Sequence, residues 1–95
     1  MKQIIVDSNI STWYYITEDG KCYNEKTGKY LKGQVNCRSG YFSYNITLPD
    51  GSKRRLAAHR LVAQAYIPNP DNKKQVNHKD GNKLNNCVDN LEWAT

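Results

Sequence analysis

One histidine in this chain stands in a setting that could do acid–base chemistry. The stretch Val76-Asn77-His78-Lys79-Asp80-Gly81-Asn82-Lys83-Leu84-Asn85-Asn86, followed by Asn90-Leu91-Glu92-Trp93, places His78 at the end of a short strand, between an Asn and a Lys. Imidazole titrates near neutral pH, so it is the natural side chain to take a proton from water. An oxygen ligand beside it could hold Mg2+ or Mn2+ on a phosphate under attack. Lysines alongside, here Lys79 and Lys83, would hold a phosphate backbone. The competing reading of the same residues is a histidine that merely caps a turn.

The elements that must position this stretch are short. Gln75 to Lys79 reads as one strand and Leu91 to Trp93 as another, with Asp80-Gly81-Asn82 turning the chain and Asn85-Asn86 prolonging the loop. Upstream, Leu61, Val62, Ala65 and Tyr66 follow helical spacing, which predicts one helix over about 58–66. Pro68-Asn69-Pro70 ends it. Before the helix the pattern is antiparallel β. Ile4 to Val6 could add an edge strand. Trp13-Tyr14-Tyr15-Ile16, a Glu18-Asp19-Gly20 turn and Lys21-Cys22-Tyr23-Asn24 read as a hairpin. Lys29 to Lys32 and Gln34 to Arg38 are shorter candidates. Tyr41 to Leu48 is the clearest strand, with Phe42, Tyr44, Ile46 and Leu48 on one face. Pro49-Asp50-Gly51-Ser52 then turns the chain so that Lys53 to Ala57 pairs back. The expected fold class is α+β: a small twisted antiparallel β platform, one central helix and a C-terminal β-hairpin. Residues 1–57 form the β module and residues 58–95 the helix and hairpin, as one compact unit.

Composition narrows the class. A chain of 95 residues makes one domain with a thin core. Its 14 Lys and Arg against 9 Asp and Glu leave a formal charge of +5, which favours a polyanionic partner, nucleic acid first. Lys53-Arg54-Arg55 and Arg60 form a basic cluster where a hairpin leads into the helix, and Lys79 and Lys83 add to it. With Tyr41, Tyr44 and Trp13 in the sheet, a β platform touching a DNA backbone is expected. Seven of the 22 residues from Asn69 to Asn90 are Asn, which marks an ordered, turn-rich tract. Cys22, Cys37 and Cys87 lack zinc-site spacing and suggest no disulfide framework, so no zinc is expected and three reduced thiols in a cytoplasmic protein are. No apolar run is long enough for a signal peptide or a membrane span.

Residues 76–93 resemble the HNH family, also called the ββα-metal or His-Me finger nucleases, and in particular its phage and intron homing-type branch. The resemblance extends upstream through Ala58-His59-Arg60-Leu61-Val62-Ala63-Gln64-Ala65-Tyr66-Ile67-Pro68. More loosely, it takes in Trp13-Tyr14-Tyr15-Ile16, Gly20, Tyr30-Leu31-Lys32 and Gly40-Tyr41, which look like the N-terminal β module often fused to these nucleases. It implies metal-dependent hydrolysis of DNA phosphodiesters, with Mg2+ or Mn2+ as cofactor. His78 matches the general base. Asn77 matches a position that often ligates the metal, where Asp is common and Asn gives a weaker, neutral ligand. Asn90 matches the middle Asn that holds the His-bearing loop. His59 is expected to be structural or to contact phosphate.

In the family a helix carrying the last metal ligand follows the Leu-Glu-Trp strand, and the sequence here ends at Thr95. The resemblance therefore implies an incomplete ββα-metal finger. One reading is an inactive remnant of phage origin that binds DNA, or that binds and inhibits a protein such as a host nuclease or defence complex. The other is a site completed by a second chain.

Overall fold

The computed structural model describes residues 1–6 and 10–95. Strands β1 (Lys2–Val6), β2 (Ile10–Ile16), β3 (Cys22–Asn24) and β4 (Lys29–Tyr30) form a four-stranded antiparallel sheet in chain order. Strands β5 (Gln34–Val35), β6 (Phe42–Thr47) and β7 (Lys53–Ala57) form a second antiparallel sheet. Helix α1 (Ala58–Tyr66) follows without a break, and β8 (Gln75–His78) pairs with β9 (Leu91–Ala94) as the final hairpin. A short 3-10 turn at Val88–Asn90 leads into β9. The platform is thus two sheets, and the chain passes between them at Gly33, whose φ of +69° suits glycine.

Alternation dictates which faces are buried. Thr12, Tyr14 and Ile16 of β2, and Ile4 and Val6 of β1, point inward, as do Tyr44 and Ile46 of β6. Helix α1 lays Ala58, Leu61, Val62 and Ala63 on the same core, which continues through Val76 and Leu91 of the last hairpin. Each fully buried Val, Leu or Ile among these contributes about 1.5–3 kcal/mol. One core therefore runs through both the β module and the segment after it.

Tyrosine and tryptophan supply the apolar bulk, and their polar ends tie the elements together. Tyr66 donates its hydroxyl to the Ile16 carbonyl at 2.7 Å, Tyr44 to the Gly20 carbonyl at 2.8 Å, and Trp93 Nε1 to the Ile67 carbonyl at 2.9 Å. Trp93 is half-buried and packs against the core. Helix α1 ends where Ile67 goes extended (φ −112°) ahead of Pro68, because proline disfavours helical backbone in the residue before it. The strand expected over Gln34 to Arg38 stops at Val35. There Asn36 Oδ1 accepts from the Arg38 and Ser39 amides at 2.8 and 3.3 Å and starts a turn.

Candidate active site

Strand alternation places His78 and Val76 on the inner face of β8, with Gln75 and Asn77 on the outer face. The His78 ring is buried, and its Nε2 lies 2.9 Å from Oδ1 of Asn86, itself buried. In the sequence Asn86 is marked only as part of the loop that Asn85-Asn86 prolongs. Nothing in an Asn85-Asn86 pair says which of the two turns inward.

The loop after His78 is held by Asn90. Its Nδ2 donates to Asp80 Oδ1 and to the Asn85 carbonyl, both at 2.9 Å, and its Oδ1 accepts from the Asp80 amide at 3.1 Å. The backbone adds Lys79 N–H to the Asn90 carbonyl at 2.8 Å. Asp80 also accepts from the Asn82 amide and the Asn85 side chain. Those donors, the Asn82 amide first, hold the Asp80 carboxyl below its ordinary pKa.

Behind the His78 ring lie two aromatic neighbours. Tyr41 stacks on His59 with ring centroids 4.6 Å apart and on His78 at 5.8 Å, and the two imidazoles are 5.2 Å from each other. His59 is 7% exposed, and its Nδ1 is buried without a hydrogen-bond partner. Burial first, then the positive charges of His78 and Arg60, pushes the His59 pKa down to about 4. His59 is therefore a neutral packing residue rather than a phosphate contact. Tyr44, expected among the DNA-facing aromatics, is buried.

Asn77 faces solvent on β8, opposite the inward His78. Its Nδ2 donates to Oε1 of Glu92, its cross-strand partner, at 3.1 Å. One neutral amide oxygen and one carboxylate are a thin donor set for a hard divalent cation, which takes six or more oxygens. Among the described residues, no group of three or more His, Cys, Asp and Glu could hold a metal ion. These donors do not by themselves fit a complete metal site.

The basic residues fall into two groups. Arg54 and Arg55 of β7 and Arg60 of α1 line one cleft of about 330 Å³, with Ile5 and Val6 of β1. Arg55 Nε reaches Asn45 Oδ1 at 3.4 Å, and Arg60 donates to the Lys74 carbonyl at 3.0 Å. Lys53 stands at the exposed start of β7. Lys79 and Lys83 belong to the His78 loop. Lys83 folds back over the Tyr41 ring, 4.9 Å from its centroid, and donates to the Ser39 carbonyl at 2.7 Å.

Comparison with known proteins bears on the family and the fold. A family model described as HNH endonuclease matches residues 56–95. Across all 95 residues the fold matches a solved structure titled "DNA binding and cleavage by the HNH homing endonuclease I-HmuI", with a TM-score of 0.83 and 33% identity, over 53% of that chain. The chain belongs to the HNH endonuclease family. Among curated HNH relatives, DNA endonuclease I-HmuI of Bacillus phage SP01 is 40% identical over 83 residues, which is 86% of this chain and 46% of the relative. An uncharacterised HNH endonuclease, L245, of Acanthamoeba polyphaga mimivirus is 44% identical over 82 residues, 86% of this chain and 24% of the relative. A putative HNH homing endonuclease of the SPbeta prophage of Bacillus subtilis is 39% identical over 82 residues, covering 47% of its length. This HNH chain thus spans less than half the length of these curated relatives.

Proposed function

We propose that this chain binds DNA and hydrolyses a phosphodiester bond, with His78 as general base. The observation that carries the reading is the His78 ring, held by Asn86 at the end of β8 while Asn90 ties down the loop that follows. Family membership and the likeness to a protein solved in a study of DNA binding and cleavage support it.

In the proposed reaction a water oxygen attacks phosphorus and gives its proton to a ring nitrogen of His78. The P–O ester bond breaks, and the departing oxygen takes a proton from solvent. Arg54, Arg55 and Arg60, in one cleft, and Lys53, Lys79 and Lys83 would bind backbone phosphates, fixing the strand without reading its sequence. Asn90 keeps the loop bearing Lys79 and Lys83 in register. Divalent-metal dependence is general in the family, but Asn77, the ligand expected from the sequence, lies on the opposite face of β8 from His78. No step is routed through a metal, because the donors described here do not complete a site. No helix among the described residues is long and apolar enough to cross a membrane, and we place the activity inside the cell, where DNA is accessible.

The test is plasmid nicking. Supercoiled DNA is incubated with the protein and Mg2+, Mn2+ or neither, beside His78→Ala. Nicking that needs a divalent ion and is lost in His78→Ala is the expected result. DNA that is bound but left intact with every ion would overturn the hydrolytic reading and leave DNA binding.

A further inference from the structure

We infer that Asn86 is a positioning residue that fixes which nitrogen of His78 faces the reacting water, and that the Thr17–Lys21 turn seats Asn86. The inference rests on the reading of His78 as the base. An amide oxygen can only accept a hydrogen bond. With Asn86 Oδ1 at 2.9 Å, Nε2 must carry the ring proton, which leaves the lone pair on Nδ1 to accept one from water. Both residues are 6% exposed, so bulk water competes little for this bond.

The bond directs the ring only if Asn86 itself cannot move, and residues far away in sequence hold it. Gly20 lies flat against Asn86: a Cβ on Gly20 would fall 2.7 Å from the Asn86 Cβ and 3.1 Å from its carbonyl oxygen. Gly20 also has a φ of +87°, which disfavours any side chain there. Several hydrogen bonds fix the turn. The Gly20 amide donates to the Thr17 carbonyl at 3.1 Å, and the Val88 amide donates to the Glu18 carbonyl at 2.8 Å. Tyr44, reaching across from β6, donates to the Gly20 carbonyl at 2.8 Å. On its other side the His78 ring meets Tyr41 and His59. The neighbouring Asn85 serves a different purpose, bonding Asp80 and Asn90 to shape the loop. The β module is thus part of the apparatus that orients His78, in addition to any contact it makes with DNA.

The experiment is 15N NMR of the two histidine rings in the full chain, at a pH where imidazole is neutral, with His78→Ala to assign signals. The wild type is expected to show His78 protonated on Nε2. Asn86→Ala should give a mixture of tautomers, and Asn86→Asp should restore Nε2–H because a carboxylate accepts the same bond. Gly20→Ala should disturb the His78 ring signals. In the nicking assay, Asn86→Ala should lower turnover on the order of 10- to 100-fold with DNA affinity unchanged, and Asn86→Asp should recover much of it. His78 protonated on Nδ1 in the wild type would overturn the inference, as would a folded Asn86→Ala that keeps Nε2–H alone. If Asn86→Ala does not fold, the wild-type tautomer and Asn86→Asp decide. A wild type that never nicks removes the hydrolytic reading, and the tautomer measurement still decides the role of Asn86.

Discussion

Asn90 and Asp80 bond each other in both directions: Asn90 Nδ2 donates to Asp80 Oδ1 at 2.9 Å, and the Asp80 amide donates to Asn90 Oδ1 at 3.1 Å. This pairing closes the turn after His78 onto the last residue of the 3-10 turn, just ahead of β9. Asn90→Ala should cost roughly 1–2 kcal/mol, less than three full hydrogen bonds because water replaces part of each at this exposed turn. It should also speed hydrogen exchange at the Asp80 amide. Because the Asp80 carboxyl is held below its ordinary pKa, its contribution is present above the ordinary carboxylate pKa and is lost as pH falls through the lowered one. Unchanged exchange at Asp80 in Asn90→Ala would show that the loop closes without the pair.

His59 should set an acid limit on stability. Its folded pKa is pushed down to about 4 from 6.5, so its share of stability is complete above pH 6.5. As pH falls below 6.5, the unfolded chain binds a proton that the folded chain refuses. Stability should drop by roughly 3 kcal/mol by the time pH reaches the folded value. Urea unfolding measured against pH, with His59→Phe beside the wild type, checks this. An equal acid slope in both proteins would mean the loss comes from other groups.

Gly33 and Gly81 share left-handed backbone, with φ of +69° and +76°, but only Gly33 is crowded. A Cβ at Gly33 would fall 2.5 Å from the Phe42 ring and 2.8 Å from that of Tyr44, while one at Gly81 would meet nothing within 4 Å. Both alanine variants carry backbone strain. Gly33→Ala should in addition lose about 1–3 kcal/mol to overpacking between the two sheets. The comparison is made on chemical denaturation midpoints, and equal losses would contradict the close approach.

The three thiols should divide two to one. Cys22 is fully buried and its pKa is pushed up to about 12 by that burial, whereas Cys37 and Cys87 are exposed. Mass spectrometry after brief alkylation of the native protein should find two labels, and a third only in denaturant. Rapid addition of a third label to the folded chain would place Cys22 outside the core.

DNA affinity should depend on salt through the β7 cluster. If Lys53, Arg54 and Arg55 each neutralise one phosphate, replacing all three with Gln should flatten the dependence of log K on log salt by roughly 2.7. Fluorescence anisotropy on duplex DNA across a salt series measures it. An unchanged slope would remove β7 from the interface.

Much of this protein was legible in its residues because the signals are local. Period-two alternation of apolar residues marked β6, although Ser43 is buried beside Tyr44, helical spacing and Pro68 marked the extent of α1, and His78 with its Asp-Gly-Asn turn marked the candidate site and its family. What the sequence could not settle was anything that depends on residues distant along the chain. Whether the β module is one sheet or two turns on the passage at Gly33, and on rings that approach it only after folding. That His59 is a buried neutral neighbour of His78, that Asn77 points away from it, and that Asn86 rather than Asn85 bonds it follow from how β8 sits against α1 and the loop. Gly20 meets Asn86 across 66 positions of sequence. Such contacts come from long-range packing, which no local pattern encodes, so only the tertiary structure decided what holds His78 in place.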